Sequence, residues 1–279
     1  MKNNLTIFFL FFFFINAALA QESVKINFSF KPNTIYLLHT EIVSDNSVTY
    51  ESDGSDSTET RPPMKTNTEQ HISEKIEAGN LNPDSSFNVH LKIEKYDMKM
   101  TMNGKEMNNN AADYLKTLEI DGLYHPDNSF SDVVLKGKNF PDYLKKTFSE
   151  MLGDIFKKFT FPKGPIKIDS SFTQEFPMHI PIPAAGAMNM KVSSNFTLKK
   201  IEEGSAFFNV KSHLVISQND PKLIIDAHGD GVGTLIFNLK DNFYHEYDTD
   251  MNMTMKMNVK GIKMVVKSNS KTKMKCEVN

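Results

Sequence analysis

Apolar and polar residues alternate along most of this chain. From Phe243 to Val259 the odd positions carry Phe243, His245, Tyr247, Thr249, Met251, Met253, Met255, Met257 and Val259, and the even ones Glu246, Asp248, Asp250, Asn252, Thr254, Lys256 and Asn258. Successive side chains of a strand point to opposite faces, so this period predicts one buried face and one wetted face. The last segment repeats the pattern with opposite parity. Ile262, Met264, Val266, Met274, Cys276 and Val278 share one side, Lys263, Lys267, Lys271, Lys273 and Lys275 the other, and Gly261 supplies the turn between the two strands.

The same criterion predicts strands over Thr34–Val43, Met64–Glu77, Phe87–Met102, Thr117–Tyr124, Met188–Lys199, Ala206–Ser217, Lys222–Ala227 and Val232–Lys240. Within Phe87–Met102 the apolar parity switches from Phe87, Val89, Leu91 and Ile93 to Tyr96, Met98, Met100 and Met102. A β-bulge between Glu94 and Asp97 keeps both sets on one face. The longer segments far exceed the usual strand length of about 5–6 residues, which points to strongly twisted or curled antiparallel sheets.

One segment has helical spacing. Phe140, Tyr143, Leu144, Phe148, Met151, Leu152, Ile155, Phe156 and Phe159 form an apolar stripe within Asn139–Phe159, with Asn139 as its cap and Lys157 and Lys158 in the last turn. A shorter helix is expected near Met107–Leu118. The polar stretch Ser44–Pro63 is expected to be a long solvated hairpin loop or disordered excursion, and Phe161–Gly186, rich in proline, an extended crossing able to form an edge strand. The predicted fold is mostly β (α+β): a large curved antiparallel sheet or half-barrel of long strands covered by one main amphipathic helix. Residues 21–279 form a single β-rich domain. Similar pairs such as Lys75-Ile76-Glu77 with Lys200-Ile201-Glu202 suggest two similar halves, about 21–160 and 161–279.

The first residues change the setting. Lys2, an apolar block from Ile7 to Ile15, and Ala18-Leu19-Ala20 before Gln21 read as a secretory signal peptide cleaved after Ala20. Gln21, not a cysteine, stands directly after that site, so a lipid anchor is not expected. No later segment reaches the roughly 20 apolar residues of a membrane-spanning helix. A periplasmic or secreted protein results, and with Cys276 as its only cysteine it has no internal disulfide. The leader carries one cation and no acid, so its removal moves the formal charge from -2 to -3. That balance gives no support to a nucleic-acid partner.

Candidate chemistry is sparse. Thioethers favour Cu(I) in exported proteins. Alternate residues of one strand stand about 6.6 Å apart, so two neighbouring methionines can converge on an ion but four cannot. A copper site would need Met98, Met100 and Met102, or His245, from elsewhere. Methionine more commonly fills irregular apolar space, and no metal or other cofactor is assigned. The stretch Asp226–Gly233, "DAHGDGVG", places Asp226, His228 and Asp230 on one strand face. It lacks the closing glutamate of a calcium loop and the Gly-Lys-Ser/Thr of a phosphate loop, and its glycines predict a hairpin turn or bulge. No His-x-x-x-His pair or Gly-x-Ser-x-Gly elbow occurs, so an enzyme is not expected. Cys276 reads as a small buried hydrophobe, and the lysine row of the last strand as a solvated face or as a contact for acidic lipid or polysaccharide.

Leu123-Tyr124 before the amphipathic segment, Phe161–Phe172 (FPKGPIKIDSSF), Phe196-Thr197-Leu198, and Gly231 and Gly233 ahead of Met-x-Met resemble uncharacterised exported bacterial proteins of the domain-of-unknown-function kind. The architecture is similar to the LolA and LppX type of envelope lipoprotein and lipid carrier, which implies an apolar concave surface. The expected function is non-catalytic binding of a lipid or acylated peptide. The lining is Met98, Met100, Met102, Met251, Met253, Met255 and Met257, roofed by Phe148, Leu152 and Phe156. The alternative is an envelope structural or interaction module with a filled core and a protein partner; Cu(I) binding is third.

Overall fold

The computed structural model describes residues 23–51, 62–107, 115–137, 161–182, 186–220, 223–259 and 262–279. Strand β1 spans Ser23–Val24, β2 Thr34–Glu51, β3 Met64–Ala78, β4 Phe87–Met102, β5 Lys105–Glu106, β6 Glu119–Tyr124 and β7 Phe130–Lys136. The second half contributes β8 Ile166–Lys167, β9 Ser171–Ile182, β10 Gly186–Glu202, β11 Ser205–Asp220, β12 Leu223–Asn238, β13 Phe243–Val259 and β14 Ile262–Val278. Two strands, β1 and β8, pair by themselves. The other twelve form one sheet in the order β7-β6-β4-β3-β2-β14-β13-β12-β11-β10-β9, with β5 folded back on β4.

Along that path the chain runs as two meanders zipped together by its first long strand and its last. Strand β2 lies antiparallel to β14 from Tyr36↔Val278 to Glu51↔Lys263. Two-residue turns close the tightest hairpins. Asn103-Gly104 and Glu203-Gly204 have positive φ at both positions (50° and 78°, 49° and 74°), as turns matched to the strand twist require.

Cross-strand partners share a face, so the registers define an inner face and an outer one. Tyr36, Leu38 and Thr40 of β2 are buried, as are Cys276 of β14 and Phe208 and Val210 of β11. Phe30 anchors one aromatic cluster, with ring centroids 5.1 Å from Tyr36, 5.5 Å from Tyr124 and 5.8 Å from Phe130, all edge-on. Ile26, Ile166, Phe196, Leu198, Phe208 and Phe237 form a second cluster, and Phe28 touches both.

These clusters correct the expected α+β class. Among the described residues every element is a strand, with Leu115 the single helical position, so the described architecture is nearly all β. The helix expected over Asn139–Phe159 lies outside the described residues, and the roof seen over the inner face is extended chain. Residues 23–31 and 161–168 bring Ile26, Phe28, Phe30, Phe161 and Ile166 onto one end of the sheet. Their backbone polarity needs partners that a helix would supply internally. The Lys31 N–H donates to Tyr36 Oη at 2.7 Å, the Phe30 N–H to Tyr124 Oη at 3.3 Å, and the Ser29 N–H to the Asn242 carbonyl at 3.1 Å.

Two further expectations are corrected. Ser44–Glu51, expected in a loop, continues β2, because Ser44 pairs with Ser270 on one side and Thr68 on the other. A central strand is held by its two backbone ladders, so small polar side chains do not end it. The glycines of Asp226–Gly233 are not a hairpin turn: β12 passes through them in unbroken register with β11 and β13. The bulge expected in β4 is present at Glu94, between the pairs Ser73↔Lys95 and Glu74↔Ile93, and it keeps Ile93 and Tyr96 on the buried face. Strand β7 had no alternation strong enough to predict it.

Candidate functional site

Beyond the aromatic end, the inner face becomes a methionine surface. Tyr247 of β13 pairs with Leu235 of β12 and Met274 of β14, so the odd positions of β13 look inward. Met251 pairs with Gly231 and Ser270, Met253 with Gly229 and Ser268, Met255 with Ala227 and Val266, and Met257 with Ile225 and Met264. All four methionines are half-buried and pack against Leu214, Ile216, Ile225 and Ala227.

The glycine track makes room for two of these long side chains, Met251 and Met253. Each of Gly229 and Gly231 leaves open the inward space that a side chain would take. A Cβ on Gly231 would stand 3.3 Å from Met251 Cε, and one on Gly229 would stand 3.2 Å from Met253 Cβ. The floor beside the β13 methionines is therefore backbone.

Met98, Met100 and Met102 occupy the same inner face on β4, half-buried, and Tyr96 Oη donates to Met98 Sδ at 3.5 Å. Registers put them level with the β13 set: Met100 connects through Thr68, Ser44 and Ser270 to Met251. Four strand steps separate the two sets, about 19 Å measured along the sheet. The strip between them carries Ser44, Asn46, Thr66, Thr68, Ser268 and Ser270. The structure thus gathers Met251, Met253, Met255 and Met257 with the aliphatic cluster of β11 and β12, and sets Met98, Met100 and Met102 in a separate stripe. Phe148, Leu152 and Phe156 lie outside the described residues.

A polar seam marks where the aromatic end meets this surface. Ser194 Oγ and Ser212 Oγ, both buried, are 2.8 Å apart, and the Tyr247 hydroxyl also hydrogen-bonds Ser212. Burial raises the Tyr247 pKa, with that hydrogen bond opposing it. Burial likewise pushes the Cys276 thiol up to about 12, which leaves it protonated and inert at neutral pH. His245 is extruded by a bulge between Ile236 and Phe237 pairings and meets the Cys276 carbonyl through Nδ1 at 3.2 Å.

Asp226, His228 and Asp230 point outward and are exposed. Among the described residues no group of three His, Cys, Asp or Glu is placed to hold a metal ion. No helix among them is long and apolar enough to cross a membrane. The outer face carries charged side chains together with exposed Val43, Val215, Ile224 and Val232.

No family model and no curated protein matches the chain. Among solved structures it is similar to lipovitellin, described as "Lipid-protein interactions in lipovitellin", at 8% identity and TM-score 0.48 over 90% of this chain. The chain spans about a quarter of that protein, 26% of its length. It is also similar to the translocator domain of the autotransporter NalP from Neisseria meningitidis, at 7% identity and TM-score 0.20 over 87% of this chain and 88% of that one. Lipid is named there for lipovitellin, and the exported family suggested by the sequence gains no support from these matches.

Proposed function

We propose that this is an exported, non-catalytic protein, periplasmic or secreted, that binds an apolar ligand such as a lipid or the acyl chain of a lipidated peptide. The site is the methionine surface of β13 with its floor on β12. The observation that carries this reading is the pairing of Met251 and Met253 with Gly231 and Gly229, which stacks flexible thioether chains over bare backbone. Unbranched side chains with three rotatable bonds can swing aside at low cost, and a glycine track then offers an alkyl chain a shallow bed. Leu214, Ile216 and Ala227 supply the apolar wall.

Native mass spectrometry of the mature chain purified from its own host tests the reading, with displacement of a fluorescent fatty acid as a second measurement. A co-purifying lipid and saturable displacement support it. Met253→Lys and Met255→Lys are expected to weaken probe binding at least about tenfold, since a charge must be desolvated or must swing out of the bed. Clean apo-protein together with no probe binding overturns it, in favour of an envelope interaction module with a filled core.

A further inference from the structure

The outer face holds a groove of its own, of about 750 Å³. Its lining fixes which face it opens on. Asp45, Asn67, Thr101, Asn269, Asn252 and Asp230 form one continuous cross-strand row from β4 to β12, and Lys65, Ser47, Lys267, Thr254 and His228 form the next outward row. Between them the groove meets only the intervening row, Thr66, Asn46, Ser268, Met253 and Gly229, whose side chains point the other way. The groove therefore runs across the strands on the polar side of the sheet.

Its two walls differ. One carries cations at Lys65 and Lys267 and an imidazole at His228. The other carries amides and carboxylates already set in orientation: Asn67 Nδ2 donates to Asp45 Oδ1 at 2.8 Å, and Asn269 Nδ2 to Asn252 Oδ1 at 2.9 Å. His213 Nδ1 and Asp230 Oδ1 are 2.9 Å apart at the far end. Asn269 Nδ2 also donates to Asp250 Oδ1 at 3.0 Å, which uses both its N–H groups, and this fixing leaves the second N–H of Asn67 and the amide nitrogen of Asn252 for a ligand.

We infer that this groove binds an extended acidic oligosaccharide, laid across the strands with its carboxylate or sulfate groups on the Lys65–Lys267 wall and its hydroxyls on the Asn/Asp wall. The chemistry of the walls selects this class. The strands are central, with both ladders filled, so a peptide has no edge to extend. Both walls are set with polar and charged side chains rather than an apolar bed for a lipid, and the single ring, the His228 imidazole, is no platform for a run of stacked nucleobases. Asp45 and Asp230 repel a phosphate backbone but accept hydrogen bonds from hydroxyls. Strands about 4.8 Å apart also present a new pair of groups at about every sugar unit, and the six strands give the groove a length of roughly 24 Å.

The test is calorimetric titration of the full mature chain with a uronic-acid hexasaccharide, a neutral hexasaccharide and inorganic sulfate. The acidic hexamer is expected to bind at least about tenfold more tightly than either of the others, and less tightly as salt rises. Lys65→Met with Lys267→Met is expected to cost about tenfold and to flatten the salt dependence, and Asn252→Ala to cost about three- to tenfold with charges intact. These side chains lie on the surface, so an unchanged Tm is expected to accompany each loss. Met255→Lys, on the opposite face and outside the groove lining, is expected to leave this affinity unaltered, which separates the groove from the apolar site. Equal binding of the neutral hexamer, sulfate binding as tight as the hexamer's, no binding at all, or full affinity in the double lysine variant each overturns the inference.

Discussion

Met251 lies over Gly231 across the β12–β13 boundary, its terminal methyl carbon 3.3 Å from where a Cβ on that glycine would stand. The relationship recurs along β12 with graded tightness. At Gly233 an added Cβ collides with the backbone oxygen of Asp248, at Gly229 it stands 2.9 Å from the Asn252 oxygen, and at Gly231 the nearest atom is the Asp250 oxygen at 3.2 Å. Backbone cannot yield as a thioether tip can. Alanine is therefore expected to destabilise most at Gly233, by about 2–4 kcal/mol, less at Gly229, and by under about 1.5 kcal/mol at Gly231. Urea unfolding of the three variants checks the order.

Phe30 is the keystone of the roof. It is 7% exposed and its ring meets Tyr36, Tyr124, Phe130 and Phe243 at 5.1–5.8 Å. Phe30→Ala is expected to cost about 3–5 kcal/mol, as for other buried aromatic deletions. Phe30→Leu is expected to recover roughly half of that. Chemical denaturation at one temperature measures both, and a loss below 1 kcal/mol for alanine shows that residues 23–31 do not hold the sheet together.

Much of this was legible in the chain because strand pattern is local. The alternation in β13 and β14 gave their faces and parity, and the parity switch at Ile93–Tyr96 gave the β4 bulge. What was misread depends on partners far away in sequence. Gly229, Gly231 and Gly233 look like a turn until Met253 and Met251 are laid beside them. Ser44 and Asn46 look like a loop until they pair with Ser270 and Ser268. The roof was assigned to the aromatic stripe of 139–159, whereas Phe28, Phe30 and Phe161 sit on extended chain with no period to detect. The outer groove had no motif either, since Asp45, Asn67, Asn252 and Asn269 come from four strands and meet only through register.

Alkali is expected to unfold this protein through its buried tyrosines. Burial pushes Tyr36 and Tyr124 up to about 12 from 10.0, and the Cys276 thiol to about 12 from 9.0. All three are neutral at pH 8 in both folded and unfolded chains, so their contribution is whole there. Above about pH 9 for the thiol and pH 10 for the phenols the unfolded chain releases protons that the folded chain holds until about pH 12. Stability falls through that window, by an amount on the order of 2 kcal/mol per tyrosine. Melting curves from pH 8 to 12, read with tyrosinate absorbance, check it. Tyr36→Phe is expected to flatten the fall while lowering Tm at pH 8, because the Lys31 N–H loses its acceptor.

Glu74 poses the opposite case, an acid turned inward. It pairs with Leu38 of β2 and Ile93 of β4, both buried on the inner face, so its side chain stands among apolar neighbours. Burial holds its carboxyl above the usual value of 4.5, and its charge in turn raises the Tyr244 pKa. An acid whose folded pKa is raised favours folding most while protonated. Its contribution is therefore full below the unfolded value and is lost as pH climbs through the raised folded one. Glu74→Gln keeps the shape and removes the charge, so it is expected to raise Tm at pH 7 and to change it little at pH 4. Glu74→Leu is expected to raise it further at pH 7 if the amide finds no partner. A drop in Tm at pH 7 for the glutamine variant would mean that the carboxylate is wanted as a charge, paired with a cation, and would turn attention from packing to a polar role for the inner face.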